Sequence, residues 1–281
     1  MMRWVLVSFT SSIVFGTIAL PEAFADSARW TDTQKPNCQV WALDPAPDVS
    51  TTWSGICAGG KATGNGSLLW TYHGPDGQKR TSSYTGSLRN GRMHGRGISA
   101  LADGDLYDGD GVDGERSGHG IYTYPNGDRY DGGWLNDEKS GHGIYTKPDG
   151  ASYDGDWVGG EKNGRGTMVF SNGDRYEGEW ANNRQNGRGI YVWTNGDRYD
   201  GEWANDDQNG RGTYVFADGF RYEGEWVAGN RQGLGRITFP DGKYYEGTFV
   251  DDQAYGIGEC RGADGRIGTC EFVNGEFSGW Q

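Results

Sequence analysis

Few residues in this sequence are of a type and spacing that could do chemistry. There are four histidines, His73, His94, His119 and His142. An imidazole can hold a metal or move a proton near neutral pH. His119 and His142 are 23 residues apart, and the equivalent place elsewhere holds Arg96, Arg165, Arg188 and Arg211. If each 23-residue unit contributes two strands, neighbouring units lie about 10 Å apart, too far for one ion. The pair therefore reads as part of a solvated polar ladder, and no metal site is expected. Glycine pairs such as Gly141-His-Gly143 could cradle a phosphate. They lack the strand-to-helix setting and the downstream acid that dinucleotide loops need, and they recur in every unit, so they read as structural. No Gly-x-Ser-x-Gly elbow or P-loop occurs. No catalytic residue and no cofactor is expected.

Carboxylates form the second set. The chain carries 26 Lys+Arg against 39 Asp+Glu, a net charge of −13. A duplex-binding surface needs clustered positive charge, so nucleic acid is not an expected partner. Long-range attraction to an anionic membrane is not expected either. The acids form a ladder: Asp108, Asp131, Asp154, Glu177, Asp200, Glu223 and Glu246, with Asp110, Asp156, Glu179, Glu202 and Glu225 two positions further on. The ladder could bind Ca²⁺ or a basic partner. The plainer reading is a charged face, shared with Arg129, Arg175, Arg198 and Arg221, that keeps an exposed sheet soluble.

Aromatics and glycines set the architecture. In 281 residues there are 51 Gly, 12 Trp, 16 Tyr and 10 Phe, with few aliphatics. Low aliphatic content with high net charge would read as disorder, but disordered chains are poor in aromatic rings. Tyr84, Tyr107, Tyr130, Tyr153, Tyr176, Tyr199, Tyr222 and Tyr245 follow one another at 23-residue intervals. With each Tyr as position zero of its unit, glycine recurs at positions 2, 11, 13 and 20 throughout, as Gly132, Gly141, Gly143 and Gly150 do after Tyr130. Position 4 holds Trp134, Trp157, Trp180, Trp203 and Trp226, replaced toward the ends by Leu88, Gly111 and Phe249.

Each unit reads as a hairpin. Tyr176-Glu-Gly-Glu-Trp180 alternates as a strand with one dry and one wet face. A second stretch such as Gly212-Thr-Tyr-Val-Phe216 follows. Asp218-Gly219 or Asn195-Gly196 then marks a tight turn into the next Tyr. Pairing about that turn sets Phe216 opposite Tyr222 and Tyr214 opposite Gly224. One face is then nearly all ring and glycine, and rings lying over bare glycines can cover a sheet without a second layer. The same register sets Cys260 directly opposite Cys270.

Tyr-x-Gly-x-Trp, then Gly-x-Gly, then Asn/Asp-Gly at this spacing resembles the MORN repeat over about residues 53–281. The resemblance implies an all-β fold: an elongated single-sheet antiparallel meander of stacked β-hairpin repeats. It also implies binding and scaffolding rather than catalysis, with lipid headgroups among the ligands proposed for such arrays. Gly111 and the cysteine-bearing end units depart from the pattern.

The organisation expected is a signal peptide (1–25), an N-terminal linker or flap (26–52), an atypical repeat (53–83), eight repeats (84–267) and a partial capping repeat (268–281). Arg3, the apolar run Trp4–Leu20 and Ala23-Phe-Ala25 before Asp26 fit a cleavable secretory signal. The rival reading is an uncleaved anchor, although so short a run sits at the lower limit for spanning. After cleavage no integral membrane segment is expected, and the chain would be periplasmic or secreted. In the atypical repeat Trp53, Gly55, Cys57, Gly64 and Gly66 fall on the repeat positions. Cys38, Cys57, Cys260 and Cys270 in an exported chain suggest disulfides. Their grouping favours Cys38–Cys57 and Cys260–Cys270. Zinc is the alternative, without a CxxC spacing to support it.

For function, the first expectation is a non-enzymatic exported scaffold or protein-binding module. The alternative is a module that binds glycan, cell wall or lipid headgroup through the aromatic face. The rings expected to carry binding are Tyr130, Trp134, Tyr153, Trp157, Tyr176, Trp180, Tyr199, Trp203, Tyr222 and Trp226. The opposing reading is that these rings only constitute the core.

Overall fold

The computed structural model describes residues 29–42 and 48–281. The expected signal segment lies outside them, as do residues 26–28 and 43–47 of the expected flap. The described chain is all β, with 23 strands. A small hairpin, β1 (Arg29–Asp32) and β2 (Gln39–Ala42), precedes β3 (Ser50–Trp53), β4 (Ile56–Ala58) and the long β5 (Lys61–His73). From β5 to β23 (Glu276–Trp280) each strand pairs antiparallel with the next. The result is one open, elongated meander of successive hairpins.

Two turns alternate along it. Within a unit, the strand Arg129–Leu135 returns through Asn136-Asp137, both left-handed at φ 49° and 68°. This is a two-residue turn whose twist matches the strands. Between Trp134↔Lys139 and Gly132↔Gly143 the returning strand carries two extra residues. Gly141, at φ 69°, absorbs that bulge, which accounts for the glycine at position 11 of every unit.

Between units the turn is longer than the Asn-Gly or Asp-Gly pair suggests. Tyr124 N–H donates to Asp128 O at 2.9 Å, and Gly127 N–H donates to Tyr124 O at 2.9 Å. The loop is thus the three residues Pro125-Asn126-Gly127, with Gly127 in the left-handed region at φ 87°. This shifts the pairing by two residues from the expected register. Tyr122 faces Tyr130, and Gly120 faces Gly132. Tyr214, not Phe216, faces Tyr222. A shift of two keeps every side chain on its expected face, so the ring-and-glycine face survives the correction.

The shift also corrects the C-terminal cysteines. Cys260 pairs with Gly268 and Cys270 with Gly258, so the two are diagonal rather than opposite. They are bridged all the same, with Cα atoms 5.8 Å apart, and Cys38–Cys57 is bridged at 5.7 Å. Two disulfides fit an oxidising compartment. Replacing Cys260 and Cys270 by serine is expected to destabilise the terminal hairpins by about 2–3 kcal/mol. Amide exchange should quicken over 253–280 and stay unchanged over 107–227. Uniform loosening of the whole array would contradict a local staple.

The core is the Tyr ring over paired glycines. A Cβ on Gly143 would stand 2.3 Å from the Tyr130 hydroxyl oxygen, and one on Gly132 would stand 2.5 Å from Gly143 Cα. No side chain fits at either position while the ring is there. The Tyr130 hydroxyl then donates to Gly133 O at 2.9 Å, so the phenol is satisfied although its residue is fully buried. Trp134 closes the gap to the preceding unit, its Nε1 donating to Gly120 O at 3.1 Å. Trp53 repeats the Tyr arrangement. It lies over Gly55 and Gly66 and donates from Nε1 to Ile56 O at 2.9 Å.

Candidate functional site

The ring-bearing face has two layers. The inner layer holds all ten rings singled out from the sequence. Tyr130, Tyr153, Tyr176, Tyr199 and Tyr222 are 0–2 % exposed, and Trp134, Trp157, Trp180, Trp203 and Trp226 are 5–6 % exposed. Each Trp meets its own Tyr and the preceding unit's Tyr edge to face. Trp180, for example, lies 5.2 Å from Tyr176 and 5.3 Å from Tyr153. Rings this enclosed have no face left for a ligand. They are the core of the array, and a ligand approaching this side meets other residues first.

Those residues form the outer layer, which sits over the inner rings and is half-buried. Phe170, Tyr191, Trp193, Tyr214 and Phe216 make a continuous ribbon, with successive centroids 5.6, 4.4, 5.1 and 4.4 Å apart. The sequence places these rings on the correct face but does not separate the layers. The separating signal is the glycine pair, because only the ring beside two glycines can sink onto the backbone.

Under the outer layer lies a row of cells. Each is walled by a unit's first Tyr, the next Trp and the residue at position 15 of the same unit, which is Tyr122, Tyr145, Tyr191 or Tyr214 in the second, third, fifth and sixth units and Met168 in the fourth. In the second unit Tyr107, Tyr122 and Trp134 enclose the Arg116 guanidinium, which lies 4.4 Å from the Trp134 centroid and 5.0 Å from Tyr122. Lys139 Nζ is 4.4 Å from Tyr145 and 4.9 Å from Trp157. Lys162 Nζ is 4.4 Å from Trp180. Burial pushes both lysines down to about 8. The surrounding ring faces favour the charged form. In the fifth and sixth units the same place holds Gln185 and Gln208.

A carboxylate stands at the rim of several cells. Tyr145 donates to Asp128, Tyr191 to Asp174 at 3.0 Å, and Tyr214 to Asp197 at 2.8 Å. Asp174 also accepts from Thr194 N–H at 2.8 Å and from Asn172 Nδ2 at 2.9 Å. These bonds pull its carboxyl below the usual range against the effect of burial.

The opposite face is charged. Arg129–Asp131, Arg175–Glu177, Arg198–Asp200 and Arg221–Glu223 pair at 2.7–2.8 Å. His119 and His142 each meet an aspartate, Asp131 at 3.1 Å and Asp154 at 3.0 Å. Exposed pairs of this kind contribute little to stability. Among the described residues no group of three or more His, Cys, Asp or Glu is placed to hold a metal. Nor is any helix long and apolar enough to cross a membrane.

The MORN repeat family model matches eight consecutive segments, 84–106, 107–129, 130–152, 153–175, 176–198, 199–221, 222–244 and 245–265. The chain belongs to the MORN-repeat family. No curated protein matches it in sequence. Among solved structures, it is similar to the G-box domain of the microcephaly protein CPAP at 15 % identity, covering 72 % of this chain and 98 % of that one, with a TM-score of 0.36. A second is the SAS-4 (dCPAP) TCP domain of Drosophila melanogaster, solved in complex with a proline-rich motif of Ana2 (dSTIL). It is 15 % identical, covers 55 % of this chain and 84 % of that one, and gives a TM-score of 0.35. Likenesses at that level carry no argument about this MORN array. The family itself marks the chain as a repeat-based binding or scaffold module.

Burial of the inner tyrosines has a consequence at high pH. Burial holds the phenols of Tyr130, Tyr153, Tyr176 and Tyr199 well above their ordinary value and pushes Tyr222 up to about 12. The unfolded phenols titrate near 10. The stabilisation from keeping them protonated is therefore full below about pH 10 and is lost as pH climbs toward 12. The denaturant midpoint should fall steeply over that interval, with phenolate absorbance rising in the same step as the loss of sheet. Gradual ionisation near pH 10 with the sheet intact would mean that the inner layer is open to water.

Proposed function

We propose that this chain is an exported, non-catalytic scaffold that holds a protein partner on the outer aromatic ribbon. The ribbon from Phe170 to Phe216 carries the reading. Five rings in mutual contact stand half-open over a core that leaves them little freedom to move. Rigid, amphipathic rings give contact area at low entropic cost, and an apolar strip rimmed by polar groups marks a binding surface. The two disulfides and the signal-like first 25 residues support an oxidising, extracytoplasmic location.

The test is affinity capture from a cell-envelope extract with the oxidised chain 26–281 and with its Trp193→Ala/Tyr214→Ala variant. A stoichiometric protein retained by the first and lost by the second is expected. Equal retention by both would remove the ribbon from the binding surface. Recovery of glycan or lipid alone would replace a protein partner with that ligand.

A further inference from the structure

The three-ring cells of the second, fifth and sixth units are alike in their walls and differ in what fills them. Around Arg116 the ring centroids are 6.5 Å (Tyr107–Tyr122), 5.7 Å (Tyr107–Trp134) and 5.8 Å (Tyr122–Trp134) apart. Around Gln185 the matching distances are 6.5 Å (Tyr176–Tyr191), 5.3 Å (Tyr176–Trp203) and 6.0 Å (Tyr191–Trp203). Around Gln208, Trp226 lies 5.3 Å from Tyr199 and 6.1 Å from Tyr214. The chain thus shows, in its own neighbouring units, what such a cell accepts. Arg116, Lys139 and Lys162 each place a cation against these ring faces.

The rim charges complete the contrast. Asp128 lies near the half-buried Lys139, which offsets its charge. Asp174 and Asp197 border the two glutamine cells and form no ion pair among the described residues. Gln185 fills the floor of its cell, being only 5 % exposed, and Gln208 is half-buried in the next. A cation arriving from outside would stop at the rim, between the carboxylate and the outer rings. The stretch with two uncompensated carboxylates is the same stretch that carries the continuous ribbon.

We propose that the fifth and sixth units bind two lysine or arginine side chains from one extended segment of a protein partner, one cation over each glutamine cell. This rests on the ribbon being the protein-binding surface and names what that surface selects. Spacing gives the segment its form. Successive cells are one unit, or two strands, apart, which is about 9–10 Å. A polyproline II segment rises about 3.1 Å per residue with three residues per turn, so cations at i and i+3 lie on one face about 9 Å apart. A β-strand would send them to opposite faces. The partner motif is therefore a basic residue, two spacers and a second basic residue, running along the array across its strands.

The experiment uses the oxidised chain and a labelled proline-rich peptide with two lysines at i and i+3. Control peptides carry glutamine for both lysines, or lysines at i and i+2. Titration is followed by fluorescence polarisation. The lysine peptide is expected to bind, with each control weaker by about tenfold or more. Gln185→Lys/Gln208→Lys supplies the cells with their own cations, as Lys139 and Lys162 do. It should keep the circular dichroism and melting temperature of the parent and bind the lysine peptide about tenfold more weakly. Three results overturn the proposal: no binding of the lysine peptide, equal binding of the neutral peptide, or unchanged affinity of the double-lysine variant. If protein capture remains Trp193-dependent while the peptide fails, the basic motif is wrong and the ribbon stands. If capture ignores Trp193→Ala/Tyr214→Ala, the ribbon itself is wrong.

Discussion

Trp180→Ala is expected to destabilise the array by about 3–5 kcal/mol, the usual range for removing a buried large ring. The residue is 6 % exposed and joins two units, packing edge to face on Tyr153 and Tyr176. Its Nε1 donates to Gly166 O at 3.2 Å, so truncation also leaves a carbonyl without that donor. The Lys162 ammonium loses its closest ring. Each unit of a linear array contacts only its neighbours, so damage at one junction cannot be shared around a common core. Urea unfolding should become broader or split, with the N-terminal and C-terminal stretches separating at 153–180. Val158→Ala is the control. That side chain is 63 % exposed and should change stability by less than about 0.5 kcal/mol. A single sharp transition with an unchanged midpoint in Trp180→Ala would mean that the ring is not structural.

Gly189→Val is expected to cost about 3 kcal/mol or more, at the upper end for overpacking. The glycine's backbone is not left-handed, so the penalty does not come from conformation. It comes from space, because a Cβ there would lie 2.3 Å from the Tyr176 hydroxyl oxygen and 2.5 Å from its ring. Either the ring swings out and exposes the core, or the two strands part. Gly229 makes the comparison. It is left-handed at φ 82°, with nothing within 4 Å of where a Cβ would stand. Asp206 holds the equivalent turn position at φ 75°. Gly229→Asp should therefore be nearly silent in the same melt. Similar losses from both substitutions would show that glycine serves this array through flexibility, not through the ring-on-glycine contact.

Much of this fold is legible in the sequence because the repeat makes every inference eight times. Tyr at position zero, glycine at two and thirteen and Trp at four assign a face to each residue without any knowledge of the partner strand. Register is less legible. The pair Asn126-Gly127 reads as a two-residue turn, but Gly127 closes a three-residue loop, and the pairing moves by two. Cys260 and Cys270 consequently bridge on a diagonal. Depth is less legible still. Alternation tells which face a ring is on, not which of two stacked rings lies beneath. Tyr176 sinks because Gly178 and Gly189 are bare, whereas Tyr191 has Tyr176 and Tyr199 as its strand neighbours and must ride above them. The ten inner rings are the natural candidates for binding by type and spacing. They are excluded by packing, which no pattern along the chain reports.

Hydroxyl-radical footprinting of the oxidised chain, read at single tryptophans by mass spectrometry, tests the division into an enclosed inner layer and an open outer ribbon. Trp193 should be oxidised readily in the folded protein. Trp134, Trp157, Trp180, Trp203 and Trp226 should stay protected until the array unfolds. Equal oxidation of Trp193 and the five inner tryptophans under native conditions would contradict it.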